Sequence, residues 1–216
     1  MHSFSMINKH FGIIRIWDKI HVSVFSFFAL VCFISAQGFI YSSLFLSCTL
    51  LHELSHILFM YLFGVKISKI TVYPFGIDIS ADTSRISYKK ELIITLAGSA
   101  SNLIFAFIGC VFLQKHPSPP LLFFVMCNLF LGCMNLIPLS FFDGGKAIRL
   151  ILYDCLDIDR AFYIHKGLDI FSALIFICFS VFLMAGSSFN LSVICVVVYA
   201  SLSTFALYIK IPCRKP

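Results

Sequence analysis

The chain has 216 residues, 60% of them hydrophobic and only 12% charged, where an average soluble protein carries about 25% charged residues. This excludes disorder and an ordinary water-soluble fold, and makes an integral membrane protein the expected class. The formal charge of +6 does not require nucleic acid, because a chain this apolar uses Lys and Arg as topology anchors.

A membrane helix needs about 20 mostly apolar residues, and the chain offers several such runs. Residues 1–21 are mixed, with Lys9, Arg15, Trp17, Asp18 and Lys19. The apolar stretch from Val22 to Phe63 is too long for one helix, and Gln37-Gly38 is its only break, so two spans are expected at about 22–36 and 39–63. Lys66 to Tyr73 alternates polar and apolar residues and predicts a strand; Pro74 and Gly76 predict a turn, with a second strand at 77–80. A third span is expected at about 92–113, a Pro-rich turn at Pro117, Pro119 and Pro120, and a fourth span at about 121–141. The polar segment 143–167, with Asp154, Asp157 and Asp159 beside Lys146, Arg149 and Arg160, has the look of an amphipathic helix on the inner membrane face. Apolar runs at 168–185 and 189–209 form a C-terminal helix pair before Lys210, Arg214 and Lys215. The expected fold is an all-α polytopic membrane protein of about six spans, with a short β-hairpin between the second and third, forming one membrane-embedded domain over residues 1–216.

Threading six spans puts alternate connections on opposite sides of the bilayer. One side then receives fifteen of the sixteen Lys and Arg residues, leaving Lys115 alone opposite. That side is expected to be cytoplasmic, with both termini inside. A signal peptide cleaved after Ser35-Ala36 would remove a span and spoil this segregation. The nine cysteines, an odd number with no CxxC pair and mostly inside apolar runs, are expected to be small buried hydrophobes.

Within the second span lies His52-Glu53-Leu54-Ser55-His56. Residues four apart share a helix face, so both imidazoles can meet one zinc ion while Glu53 stands beside them to activate a water. Glu53 is one of only two Glu residues in the chain, and an ionisable group at membrane depth defaults to function. Two histidines and a water leave tetrahedral zinc one protein ligand short. Asp78, Asp82, Asp154, Asp157, Asp159 and Asp169 lie in or beside polar segments, whereas Asp143 closes the fourth span in Asn135-Leu-Ile-Pro138-Leu-Ser-Phe-Phe-Asp143-Gly144-Gly145. Pro138 should interrupt that helix, and the two glycines permit unusual backbone angles that can turn the carboxylate back toward the bundle. Cys48 shares a helical stripe with His52 and His56 and is a second conceivable ligand, though a buried small residue is the plainer reading. His2, His10, His21, His116 and His165 are scattered and suggest no metal.

These motifs resemble those of the site-2 proteases, intramembrane zinc metalloproteases. His52-Glu53-x-x-His56 is similar to their zinc helix, Asn135-x-x-Pro138-x-x-x-x-Asp143-Gly144 to their distal motif, and Gly98-x-x-x-Asn102 to their small-residue motif; Tyr73-Pro74-Phe75-Gly76 resembles the short sheet after the zinc helix. The resemblance covers about residues 45–150. It implies one zinc ion per chain held by His52, His56 and Asp143, Glu53 as general base, and Asn135, Pro138, Gly98 and Asn102 as substrate-binding or supporting residues. Without the resemblance, Gly98 and Asn102 read simply as helix-packing residues.

The six-span layout and inward-facing site are similar to the stage IV sporulation protein FB group, which implies a membrane-associated pro-sigma factor as substrate, inhibitory membrane partners and the membrane around the forespore. No appended CBS domain, which many of that group carry, is expected here, and the sequence departs from the group in having no Pro after Gly98 and Phe141-Phe142 before Asp143. The strand at 66–73 is expected to hold an unwound substrate by adding a strand at an open edge. The alternatives are a metal transporter or metal-sensing membrane protein, since intramembrane His and Asp also mark ion pathways, and a noncatalytic scaffold.

Overall fold

The computed structural model describes residues 13–15, 20–23, 26, 31, 34–35, 38–73 and 76–186. They fall into two compact units, 1–134 and 135–216.

The first unit holds a small mixed sheet: β1 (Ile13–Arg15), β2 (Ile20–Ser23), β3 (Ile67–Tyr73) and β4 (Gly76–Ala81), in the order β1-β2-β3-β4. The β3–β4 hairpin is antiparallel, with Ile70 opposite Ile79 and Val72 opposite Ile77, as the alternation predicts. The sheet is wider than expected, because β2 runs parallel to β3 with His21 opposite Thr71 and Val22 opposite Val72. Val22 therefore belongs to a strand and does not open the first span; a four-residue strand flowing into an apolar run gives no separate periodicity to read. The pairing also corrects the expected edge, since β3 is flanked on both sides and, among the described strands, β1 and β4 are outermost. Most of the expected first span and all of the sixth lie outside the described residues.

This unit also holds α1 (Phe39–Leu62), α2 (Tyr88–Lys115) and α3 (Pro119–Asn135), and the described residues Ser26, Val31, Ile34 and Ser35 are helical as well. Gly38 precedes α1 with φ of 79° and Gly64 follows it with φ of 71°, left-handed angles that glycine adopts at little cost. At the C-terminus, Val65 N–H bonds the Met60 carbonyl at 2.8 Å and Gly64 N–H the Tyr61 carbonyl at 3.0 Å, the paired bonds of a Schellman motif. Its hydrophobic contact is present too, with Met60 and Val65 joining Ile79 and Ile94 in one buried cluster. Before α2, Ser84 donates from its hydroxyl and its backbone N–H to Asp82. These bonds, with a smaller contribution from Arg85, hold the Asp82 carboxyl below its usual range.

Helix α1 has two opposed stripes. Cys48, His52, His56 and Met60 are buried, while Leu46, Leu50, Leu54 and Leu58 are exposed. An exposed leucine ridge beside buried histidines inverts the soluble pattern and suits a lipid-facing surface. By length and composition α1 and α2 can cross a membrane, at 24 and 28 residues, whereas α3 is a shorter apolar helix of 17. Helix α3 stops at Asn135 and not near 141 as expected, three residues before Pro138, which has no backbone N–H and would strike the preceding turn. It packs closely on α2: a Cβ on Gly109 would come within 2.6 Å of Val125, and one on Gly132 within 2.9 Å of Leu103. Asn128 on α3 donates to Cys48 Sγ on α1 at 3.1 Å and to the Phe124 carbonyl at 2.9 Å.

The second unit contains α4 (Asp143–Cys155) and α5 (Ile158–Gly186). Thus Asp143 opens a helix and does not close the fourth span, and α5 begins well before the apolar run at 168. Replacing Gly132 with Leu should overpack the α2–α3 contact and destabilise the protein by about 1–3 kcal/mol. Thermal loss of helical circular dichroism in detergent should then begin at lower temperature; an unchanged melting curve would contradict the close approach.

Candidate metal centre

In the first unit, α1 presents His52 and His56 one turn apart, both buried. Their Nε2 atoms are 3.2 Å apart. Two nitrogens bound to one tetrahedral zinc at about 2.05 Å would stand about 3.3 Å apart, so the pair fits a shared ion.

Each ring is held from behind by α2. His56 Nδ1 lies 2.7 Å from the Ile94 carbonyl oxygen, an acceptor only, so Nδ1 carries the proton and Nε2 keeps its lone pair for a metal. His52 Nδ1 lies 3.4 Å from the Asn102 side-chain amide nitrogen, while Asn102 Oδ1 is buried without a hydrogen-bond partner. A half-turn of the amide resolves both observations: Oδ1 accepts the His52 Nδ1–H, and His52 Nε2 is left as the unprotonated nitrogen. Gly98 lies one turn before Asn102 on the same helix. A Cβ there would overlap His56 Nε2 and stand 2.7 Å from His52 Cε1 and Nε2. Glycine is thus required for space beside the nitrogens, a sharper demand than general helix packing. Glu53 follows His52 on α1 and is half-buried.

In the second unit, Asp143 is the first residue of α4 and is 6% exposed. A carboxylate in the first turn is favoured by the helix dipole, and Lys146 Nζ lies 3.0 Å from its Oδ1. The loop 136–142 carries Pro138 and lies directly on this turn: a Cβ on Gly144 would overlap the Leu136 backbone, and one on Gly145 that of Leu139. The two glycines therefore serve close backbone approach. The only described glycines with left-handed angles are Gly38 and Gly64, which corrects the expectation of unusual geometry here.

Of the ligands expected from the sequence, His52 and His56 are thus buried on α1 of the first unit, and Asp143 is buried at the start of α4 of the second. Cys48, the other conceivable ligand, is wholly buried and accepts from Asn128. Asp154, Asp157 and Asp159 are exposed and Asp82 is engaged by Ser84. Sequence reading missed one contributor and the burial of one polar pair. The Ile94 carbonyl is backbone and leaves no residue signature. His165 and Asp169, dismissed as scattered or peripheral, are both buried on α5; their spacing of four on a helix was the available signal.

Residues 40–118 and 112–159 match the model of peptidase family M50. A protein named zinc metalloprotease from Methanocaldococcus jannaschii is 31% identical over 153 residues, 66% of this chain and 44% of the relative. This chain thus spans less than half the length of that curated relative. A solved structure titled site-2 protease, from the same organism, superposes with a TM-score of 0.65 at 22% identity, covering 96% of this chain and 98% of the other; at that identity the likeness concerns the fold. The chain belongs to peptidase family M50, the site-2 proteases.

Gly98→Ala should push the two imidazoles apart and weaken zinc binding by about 10-fold or more, the usual scale for disturbing the support of metal ligands. A competitive chelator titration in detergent measures this. Wild-type affinity in a Gly98→Ala protein of normal helical content would contradict the crowding.

Proposed function

We propose that the protein is an intramembrane zinc metalloprotease that hydrolyses a peptide bond of a membrane-associated substrate near the cytoplasmic face. The observation that carries the reading is the His52–His56 pair, with Nε2 atoms 3.2 Å apart and the His56 ring fixed by a backbone acceptor. In this reading His52, His56 and Asp143 hold one zinc ion, Glu53 is the general base, and Asn135 and Pro138 help to hold substrate. Family membership and the buried, nitrogen-rich donor set support it.

Zinc, when bound, supplies a Lewis acid for the scissile carbonyl and for the attacking water. Glu53 accepts the proton of that water and returns it to the leaving amine. Ile94 and Asn102 keep both histidines in the ligand tautomer. The loop around Pro138 sets where Asp143 begins its helix. An unwound substrate segment pairs with an outermost strand; β4, joined to β3 and following the zinc helix, is the strand we assign to this.

The finer reading comprises one membrane-embedded domain over residues 1–216, six spans and cytoplasmic termini, supported by the fifteen-to-one distribution of basic residues. It includes a sporulation pro-sigma factor as substrate, inhibitory membrane partners and the membrane around the forespore, supported by the resemblance in layout to the stage IV sporulation protein FB group. The metal-transporter alternative finds no support in a peptidase family match.

Glu53→Gln should retain one zinc per chain and lower cleavage of a co-reconstituted membrane substrate by about 100-fold or more. Cleavage at the wild-type rate by the purified, zinc-loaded variant would overturn the assignment.

A further inference from the structure

Helix α5 carries a buried polar pair that the protease reading does not use. His165 is 7% exposed and Asp169, one turn later, is 1% exposed. Asp169 Oδ1 accepts the backbone N–H of Ser140 at 2.8 Å, and its Oδ2 accepts the Ser140 hydroxyl. His165 Nε2 lies 3.0 Å from the Gly145 carbonyl oxygen, to which it donates, and its Nδ1 lies 3.7 Å from Asp169 Oδ2. One face of α5 thus grips the chain on both sides of Asp143, three residues before it and two residues after it.

A carboxylate this buried is costly unless its hydrogen bonds are satisfied, and apolar residues of similar size usually serve stability as well or better. A role in stability alone therefore accounts poorly for Asp169. What the contacts do fix is local geometry. Leu139, 1% exposed, anchors the loop, Phe142 N–H bonds the Leu139 carbonyl at 2.8 Å, and the glycines after Asp143 seat that loop on the first turn of α4. The remaining freedom is for the loop to lift off the helix start, and the α5 pair opposes it by holding Ser140 and Gly145 together.

We propose that Asp169, with His165 and Ser140, is a positioning clamp that presets the Asp143 carboxylate as a metal ligand. The proposal rests on the reading of Asp143 as a zinc ligand, and partners that orient ligands characteristically contribute 10- to 100-fold to metal affinity.

The test is zinc affinity of the full chain in detergent micelles, by competition with a fluorescent chelator, for Asp169→Leu, Ser140→Ala, Asp143→Ala and the double variants. Asp169→Leu should weaken zinc binding by about 10- to 100-fold, Ser140→Ala in the same direction by less, and neither should weaken it further once Asp143 is Ala. That loss of effect is what a purely structural role would not produce. If Asp169→Leu fails to fold, the Ser140→Ala pair of measurements decides alone. Wild-type affinity in the clamp variants, or an equal loss with and without Asp143, overturns the clamp while leaving Asp143 a ligand. Unchanged affinity in Asp143→Ala overturns the ligand reading itself, and the clamp with it.

Discussion

Helix α2 comes so close to α1 at Gly98 that a single methyl group would strike both imidazoles of the zinc motif. Much of the first unit follows from that approach. It brings the Ile94 carbonyl within 2.7 Å of His56 Nδ1, so a backbone acceptor fixes which nitrogen carries the proton. The same helix brings Asn102 to His52. Ile94 contributes twice, since its side chain packs with Met60, Val65 and Ile79 where the Schellman turn sends α1 into the sheet. The hydrophobic cluster at the end of the zinc helix and the hydrogen bond that orients its second histidine are thus parts of one contact.

The second unit solves the same problem with different means. The buried carboxylate of Asp143 must be kept in one place, and a loop alone is a poor support. Here the loop is seated on the helix it precedes through two glycines that tolerate backbone contact, and it is held by side chains of α5. Both halves follow one rule: a buried polar group is fixed by a partner that is itself fixed by packing. Where an apolar surround raises the cost of an unsatisfied group, that rule leaves few alternatives for each position.

Much of this was legible in sequence. The HExxH spacing, the break at Gly38 and the β3–β4 alternation each carry a local physical signature, and Pro138 marked an interruption of the fourth span without showing that the helix ends at Asn135. Gly98 was visible as a small residue, but its purpose was not, because the neighbour it accommodates is 42 to 46 positions away. The Ile94 acceptor was illegible in principle, since every residue has a carbonyl. The roles of Gly144 and Gly145 were misread because glycine signals two things, left-handed backbone and close approach, and sequence does not tell them apart. The N-terminal strands were hidden by their brevity, and the α5 pair by the habit of assigning polar residues beside a span to its solvated end.

In the proposed reading, one zinc ion sits among two imidazoles and a carboxylate, with Cys48 serving only in packing. X-ray absorption at the zinc edge on the purified full chain tests it most directly. Nitrogen and oxygen scatterers at about 2.0–2.2 Å, the outer-shell pattern of two imidazoles and no sulfur are expected. A sulfur scatterer at about 2.3 Å would put Cys48 in the coordination shell and contradict it.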